Sequence, residues 1–324
     1  MASPEKSVLI VGSGIAGLCL GVVARARGYE ATLIARDAAR DTASGVAAGM
    51  IAPALEAKGD ADPNAFERLK AAQSAWLDLM PLWPDELKTA LQAQQAGARS
   101  RFIASDGSAT DVDGDWLVDA MATLGALEAA FTGRGGTLVR AEATRIDAHA
   151  VTLADGRQLT ATHIIVAAGY AARAFAATVP SLGMLSPIKG HLLDLPGQGR
   201  HGVVRSPRGY LAAYGDRAKF GASMEAGRDD VAIDAAVVAD LSARASALFP
   251  DLELAQAMPR AGVRASTPDG WPLIGRDAAS GVWVATGMRR NGFVFAPFAA
   301  SVILDRLDGK TRPDAAAYDP QRFA

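Results

Sequence analysis

The turn Gly12-Ser13-Gly14-Ile15-Ala16-Gly17 limits what this chain can fold into more than any other stretch. Before it runs Ser7-Val8-Leu9-Ile10-Val11, uncharged and apolar, which reads as a buried strand; residues 16–27 after it read as a helix. Strand, Gly-x-Gly-x-x-Gly and helix, in that order, are the context that a dinucleotide-binding turn requires. The requirement is one of crowding. Gly12 permits the tight turn, Gly14 lets backbone approach a pyrophosphate, and Gly17 lets the helix lie close to the strand. The helix N-terminus then offers unpaired N–H groups and a partial positive charge to the phosphates. Residues 7–24 are free of charge and follow Lys6, as the core of a signal peptide would. Glycines at 12, 14, 17 and 21 fit a nucleotide turn better, so the expectation is a cytoplasmic protein with no membrane span.

With 324 residues, half of them hydrophobic and 21% charged, the chain suits two domains or one large interrupted one. A net charge of −2 supplies no field for nucleic acid. The single cysteine, Cys19, excludes an internal disulfide and a multi-cysteine metal cluster, and reads as a small buried hydrophobe. His149, His163, His191 and His201 lack ligand spacing, and no metal site is expected.

The second strand, residues 30–35, ends on Ala35 where a ribose-binding carboxylate is usual, and is followed by Arg36 and Asp37. Arg36 leaves NADP open; Asp37 offers a shifted carboxylate. Residues 41–53 are almost all small, which suits a loop pressed against a flat ring such as a flavin. Asn64-Ala-Phe-Glu67 has the form of a capping box opening a helix to about residue 80, followed by a second helix over 85–95. A strand is expected over 98–104 and a helix over 116–131. Short alternating runs follow, with an Asp155-Gly156 hairpin turn, up to His163-Ile-Ile-Val166, whose end on Ala167-Ala168-Gly169 reads as a return to the nucleotide sheet. Antiparallel strands are expected over 187–195, 202–205, 210–214, 218–224 and 254–264, a helix over 232–249, a strand over 282–285, a last helix over 293–307 and a polar tail from Pro313. The nucleotide fold is thus interrupted by sheet material and is not followed by a separate domain.

Two C-terminal segments carry the chemistry: 260–275, containing Arg264, and 285–297, containing Gly287, Arg289, Arg290, Asn291, Gly292 and Phe293. The last helix starts beside Asn291-Gly292, and its positive end would stabilise charge on the N1/C2=O edge of a reduced flavin. A guanidinium holds a carboxylate through two parallel hydrogen bonds, so one arginine fixes both position and orientation. Lys189 reads equally as a sheet-edge lysine or a neighbour of the ring, Arg289 as a solvent-facing neighbour of Arg290, and Trp271 and Trp283 as core.

The ordered set 12–17, 44–53, 164–169, Pro187-Ile-Lys-Gly190 and the two C-terminal segments resembles the D-amino acid oxidase and glycine oxidase family of FAD-dependent oxidoreductases over nearly the whole chain. The resemblance implies non-covalent FAD and an α/β fold. In it a Rossmann-like FAD-binding domain (1–80, 132–180, 262–324) is interrupted by a substrate domain (81–131, 181–261) with a mixed, largely antiparallel sheet. It implies Arg264 as the carboxylate clamp, Arg290 as a second active-site arginine and Tyr210 as an active-site tyrosine, with Tyr214 less closely matched. FAD contacts are expected from Gly12, Gly14, Ile15, Ala16 and Gly17; from Ala35, Arg36 and Asp37; from Ser44, Ala47, Ala48, Gly49 and Met50; from Ala143, Ala168 and Gly169; and from Gly287, Arg290, Asn291, Gly292 and Phe293. The Ala35-Arg36-Asp37 segment is similar to one in D-amino acid oxidases, which lowers the NADP reading.

The implied reaction is oxidative deamination of glycine, a D-amino acid or an N-methylglycine type of substrate. Hydride would pass from Cα to flavin N5, and oxygen would accept the electrons to give hydrogen peroxide. A dehydrogenase passing electrons to a quinone or carrier, and a flavin-binding subunit without turnover, are the alternatives.

Overall fold

The computed structural model describes residues 6–58, 60–97 and 100–323. A six-stranded sheet forms its centre, in the spatial order Leu273–Arg276, Trp283–Thr286, His163–Val166, Ser7–Val11, Glu30–Ile34, Thr137–Val139. Every neighbouring pair is parallel except the first, which is antiparallel. The strand Ser7–Val11 is buried throughout. Val8 and Ile10 face one core, with the helices Ile15–Ala26 and Gly292–Leu307; Leu9 and Val11 face another. That is why the strand reads as a continuous apolar run and not as an alternation. The second face is covered by a three-stranded sheet, Ala143–Ile146, Ala150–Leu153 and Gln158–Thr160, and by 3-10 turns at Gly169–Phe175 and Pro180–Met184.

Within the glycine turn, Gly12 has φ +116° and a Cβ there would lie 2.5 Å from the Ala167 carbonyl oxygen; a Cβ on Gly17 would lie 1.9 Å from the Gly12 oxygen. No L side chain fits either position without moving backbone. Gly12 N–H donates to Ile34 O at 2.8 Å and Ala167 N–H to Val11 O at 2.8 Å, so the turn is tied to both neighbouring strands.

The second large sheet is mixed and mostly antiparallel. Ser186–Ser206 lies at its heart, paired antiparallel with Gly209–Gly221, Met258–Ser266 and Glu225–Ala226, and parallel with Ser100–Ile103, which carries Ala109–Val112 on its far side. The helix Ala235–Leu248 closes one face through Leu241 and Ala245 against Leu193, Leu211 and Phe220.

Several local expectations are corrected. The breaks expected near 196–201 and 215–217 do not end strands: a register shift between Pro196 and Arg200 carries both partners through as long strands. Asn64 makes no side-chain capping bond, so Ala65–Asp78 starts without the expected box. Trp116–Leu117 is a two-residue strand paired with Met50–Ile51, and the helix begins only at Ala120, where Asp119 accepts from Ala122 N–H. The strand expected over 98–104 is Ser100–Ile103, its first two positions lying outside the described residues. The region after Pro313 is not a polar tail: Ala315 and Tyr318 are buried, and Tyr318 packs against Phe295 and Phe298. Among the described residues no helix is long and apolar enough to cross a membrane.

Candidate active site

A cavity of about 310 Å³ lies between the two sheets. One side is the small-residue segment, Ser44 and Ala47 to Met50, with Gly292 and Phe293 at the start of the last long helix; the other is the mixed sheet, with Tyr210 and Arg264. Arg205, Arg208, Arg244, Arg289 and Arg290 also line it, against the single carboxylate of Glu56. The three residues expected to act on substrate, Arg264, Arg290 and Tyr210, are therefore brought together. The remaining positions expected to touch cofactor lie elsewhere, around the glycine turn and the strand ends beside it.

Arg264 stands on Met258–Ser266, opposite Ile188 of the central strand. Among the described residues its hydrogen bonds are few and weak: Nη1 reaches Ser223 O at 3.4 Å and Met224 Sδ at 3.8 Å. Burial pushes its pKa down, and Tyr210 and Glu56 act in the opposite direction. A guanidinium remains charged under such a shift, so a half-buried cation faces the cavity. Its room is made by Gly190, where a Cβ would come within 2.0 Å of Nη1 and 2.6 Å of Cζ. Gly190→Ala is expected to displace the guanidinium and to weaken binding of a carboxylate-bearing amine about tenfold (~1.4 kcal/mol) while FAD stays bound; titrating the flavin spectrum with a non-oxidised carboxylate measures both.

Glu56 is the residue that motif reading missed. It is 3% exposed, on the short helix Pro53–Ala57. Arg205 Nη1 and Arg290 Nε donate to its two carboxylate oxygens, and Arg290 Nη2 donates to its carbonyl at 2.7 Å. The helix itself is held by Asp115, which accepts from Ala54 N–H at 2.8 Å and Leu55 N–H at 2.9 Å; burial raises the Asp115 pKa to about 6. Arg289 is not solvent-facing. It lines the cavity in a left-handed conformation, φ 50°, its N–H donating to Ala265 O at 2.7 Å.

The small-residue segment is gripped from behind. Lys219, 8% exposed, donates to the carbonyls of Gly45, Val46 and Ala47 at 3.2, 2.9 and 3.0 Å, and the Tyr214 hydroxyl donates to Ala48 O. Burial lowers the Lys219 pKa and raises that of Tyr214. Tyr214 thus faces the segment's backbone, whereas Tyr210 faces the cavity. Lys219→Met is expected to leave three carbonyls without their shared donor, costing about 1–3 kcal/mol of stability and weakening FAD retention. Thermal melting and release of flavin fluorescence check it. Lys189 is neither at an edge nor beside the cavity: it is fully buried on the central strand and paired with Asp230 at 2.5 Å.

The residues present fit a flavin dinucleotide. The fingerprint helix has Gly14 at its N-cap, no side-chain cap and no acidic residue in its first turn, and Ser44 Oγ accepts from Ile15 N–H at 3.1 Å, linking the turn to the cavity. At the other end Asn291 Oδ1 is buried without a hydrogen-bond partner among the described residues, beside a helix N-terminus whose first turn also lacks acidic residues. An unpaired buried acceptor calls for a donor from a bound group. Thr286 Oγ1 donates to Gly169 O at 2.9 Å, tying the ends of two sheet strands together, and Gly287 adopts φ +74° immediately after. Near the turn, Arg36 is occupied by Asp37, Nη2 to Oδ2 at 2.9 Å, and Ala168 and Ala35 lie at strand ends. Ala143 is half-buried in the three-stranded sheet.

Fold and site together define a flavin-dependent oxidoreductase. The model described as FAD dependent oxidoreductase (DAO) matches residues 7–102 and 66–306, and the chain belongs to that family, whose cofactor is FAD. It is 29% identical over 343 residues to the tRNA 5-methylaminomethyl-2-thiouridine biosynthesis bifunctional protein MnmC of Maricaulis maris (strain MCS10), covering 100% of this chain and 56% of that protein. The chain therefore spans little more than half the length of that relative. Its fold matches glycine oxidase from Geobacillus kaustophilus (TM-score 0.81, 22% identity, 98% of this chain and 99% of that one). It also matches iminodiacetate oxidase from Chelativorans sp. BNC1 (TM-score 0.76, 21% identity, 97% and 98%).

Proposed function

We propose that this protein oxidises a small amine bearing a carboxylate, of the glycine, D-amino acid or N-methylglycine type. The observation that carries the reading is Arg264: a cation lining the cavity, without an ion-pair partner among the described residues, across from the small-residue segment and the start of the last long helix. FAD, when bound, supplies the two-electron oxidant. Arg264 grips the carboxylate and so sets the orientation of the Cα–H bond, which is where proximity contributes most. Tyr210, whose hydroxyl burial holds above its ordinary pKa, stays protonated and serves as a neutral hydrogen-bonding wall.

Among the described residues the cavity lining offers no histidine, and its one carboxylate, Glu56, is engaged by two arginines. The amine must therefore lose its proton to solvent, and the surrounding positive charge favours that loss. The rate of flavin reduction is accordingly expected to rise with pH through a single ionisation lying below the free amine's own pKa. A stopped-flow pH series checks this; a bell-shaped profile would speak for a protein base.

An anaerobic screen of flavin reduction across glycine, N-methylglycine and both enantiomers of common amino acids tests the reading, and bleaching by none of them would overturn it. Admitting air afterwards separates an oxidase, which recovers its colour and forms peroxide, from a dehydrogenase, which does not. A second reading has one support: the Maricaulis maris relative, a protein of tRNA 5-methylaminomethyl-2-thiouridine biosynthesis, aligns with the whole of this chain. It keeps the chemistry and changes the carrier to an amine on a tRNA nucleoside. Reduction of the flavin by bulk tRNA and by no free amine would favour it.

A further inference from the structure

We infer that the substrate of this cavity carries two acid groups, one held by Arg264 and the second by Arg208 at the cavity mouth. The inference rests on the small-amine reading above and narrows it.

The ground is which of the cavity's arginines already have a carboxylate partner. Of the arginines lining the cavity, Arg205 and Arg290 share Glu56, Arg244 pairs with Asp240 at 2.8 Å, and Arg289 lies 3.8 Å from Asp60. The other two, Arg264 and Arg208, have no ion-pair partner among the described residues. A cavity lined by two guanidinia without a carboxylate partner is matched by a ligand with two anions, since each of these groups otherwise relies on solvent alone.

Arg208 is also placed on a fixed support. It sits in the turn Ser206-Pro207-Arg208-Gly209 that joins the two long strands. Its backbone is pinned twice, its N–H donating to Ser206 Oγ at 3.2 Å and its carbonyl accepting from Arg244 Nη1 at 3.0 Å, and Ser206 Oγ also closes the turn on Gly209 O at 3.2 Å. Pinned backbone with a free side chain is the arrangement expected of a group that meets a ligand, because the turn no longer has to be ordered when the ligand arrives. Arg208 and Arg244 stand on the mixed sheet and its covering helix, apart from the small-residue segment.

The test compares iminodiacetate with N-methylglycine as reductants of the FAD-loaded protein, two amines that differ by the second carboxylate. The diacid is expected to reduce the flavin with a second-order rate constant about fivefold higher or more, and Arg208→Ala to lower that ratio by about the same factor, with Arg208→Lys recovering part of it. Raising the ionic strength is expected to shrink the preference, since Arg208 is exposed. A readout independent of turnover is the rise in melting temperature with succinate over propionate, present in the parent protein and lost in Arg208→Ala. Equal rates for the two amines together with equal shifts for the two acids would overturn the inference while leaving the amine reading intact. Reduction by neither amine, with a succinate shift that depends on Arg208, would leave the two-anion site standing and overturn the amine reading. Reduction by tRNA alone, with no succinate effect, would overturn both.

Discussion

Arg264→Ala is expected to lower the second-order rate constant for flavin reduction by a carboxylate-bearing amine by about 10²–10³, while the protein still folds and binds FAD. The magnitude follows from removing one side of a charged, hydrogen-bonded pair in a partly desolvated cavity, about 3–4 kcal/mol. Its direction follows from the surroundings. Arg264 makes only two long hydrogen bonds to the described residues, to Ser223 O and Met224 Sδ, and otherwise packs over Gly190, so its loss costs the fold little. The loss should fall on affinity and on rate together, because the same two bonds that hold the carboxylate also aim Cα–H. Arg264→Lys should recover only a small part, since an ammonium cannot reproduce the planar fork. Anaerobic stopped-flow reduction measures the effect. A rate within about threefold of the parent's, against the fall of about 10²–10³ expected, would remove Arg264 from the site.

Much of the fold was legible because its determinants are local. Gly17 meets the Gly12 carbonyl a few positions back, and Gly12 meets backbone just past the adjacent strand His163–Val166, which ends on small residues where it passes the turn. The arginines were legible because they stand in short motifs. What was not legible is whatever depends on partners far away in sequence. Glu56 sits in an undistinguished Pro-Ala-Leu-Glu segment, and its two arginines lie 149 and 234 positions further on. Lys219 reaches carbonyls more than 170 positions back, and backbone carbonyls leave no mark in a sequence. The same holds for the long strands. Pro196, Gly197 and Gly199 carry the composition of a break, but pairing on both sides holds the chain extended across a register shift. Tertiary pairing there outweighs local propensity.

Glu56→Ala is expected to be the most destabilising single substitution near the cavity, by about 3–5 kcal/mol, because it leaves two partly buried guanidinia facing each other without their anion. The Arg205 and Arg290 side chains are 20% and 16% exposed, so water recovers only part of that loss. Against a domain stability of about 5–15 kcal/mol the change is large enough to see as a fall in melting temperature and in soluble yield. Glu56→Gln keeps one acceptor and the shape, and should cost less than the alanine variant. Replacing Arg205 as well (Glu56→Ala with Arg205→Met) should recover part of the loss, since the repulsion goes with the second charge. That non-additivity distinguishes a charge-coupled triad from a merely well-packed side chain, for which the double variant would be worse than either single one. The triad also fixes what Arg290 is able to do. With Nε on the carboxylate and one terminal nitrogen on the Glu56 carbonyl, a single terminal nitrogen is left to face the cavity. Arg290 therefore has its Nε/Nη2 edge taken by Glu56 and meets a ligand chiefly through Nη1, whereas Arg264 has a whole fork to offer.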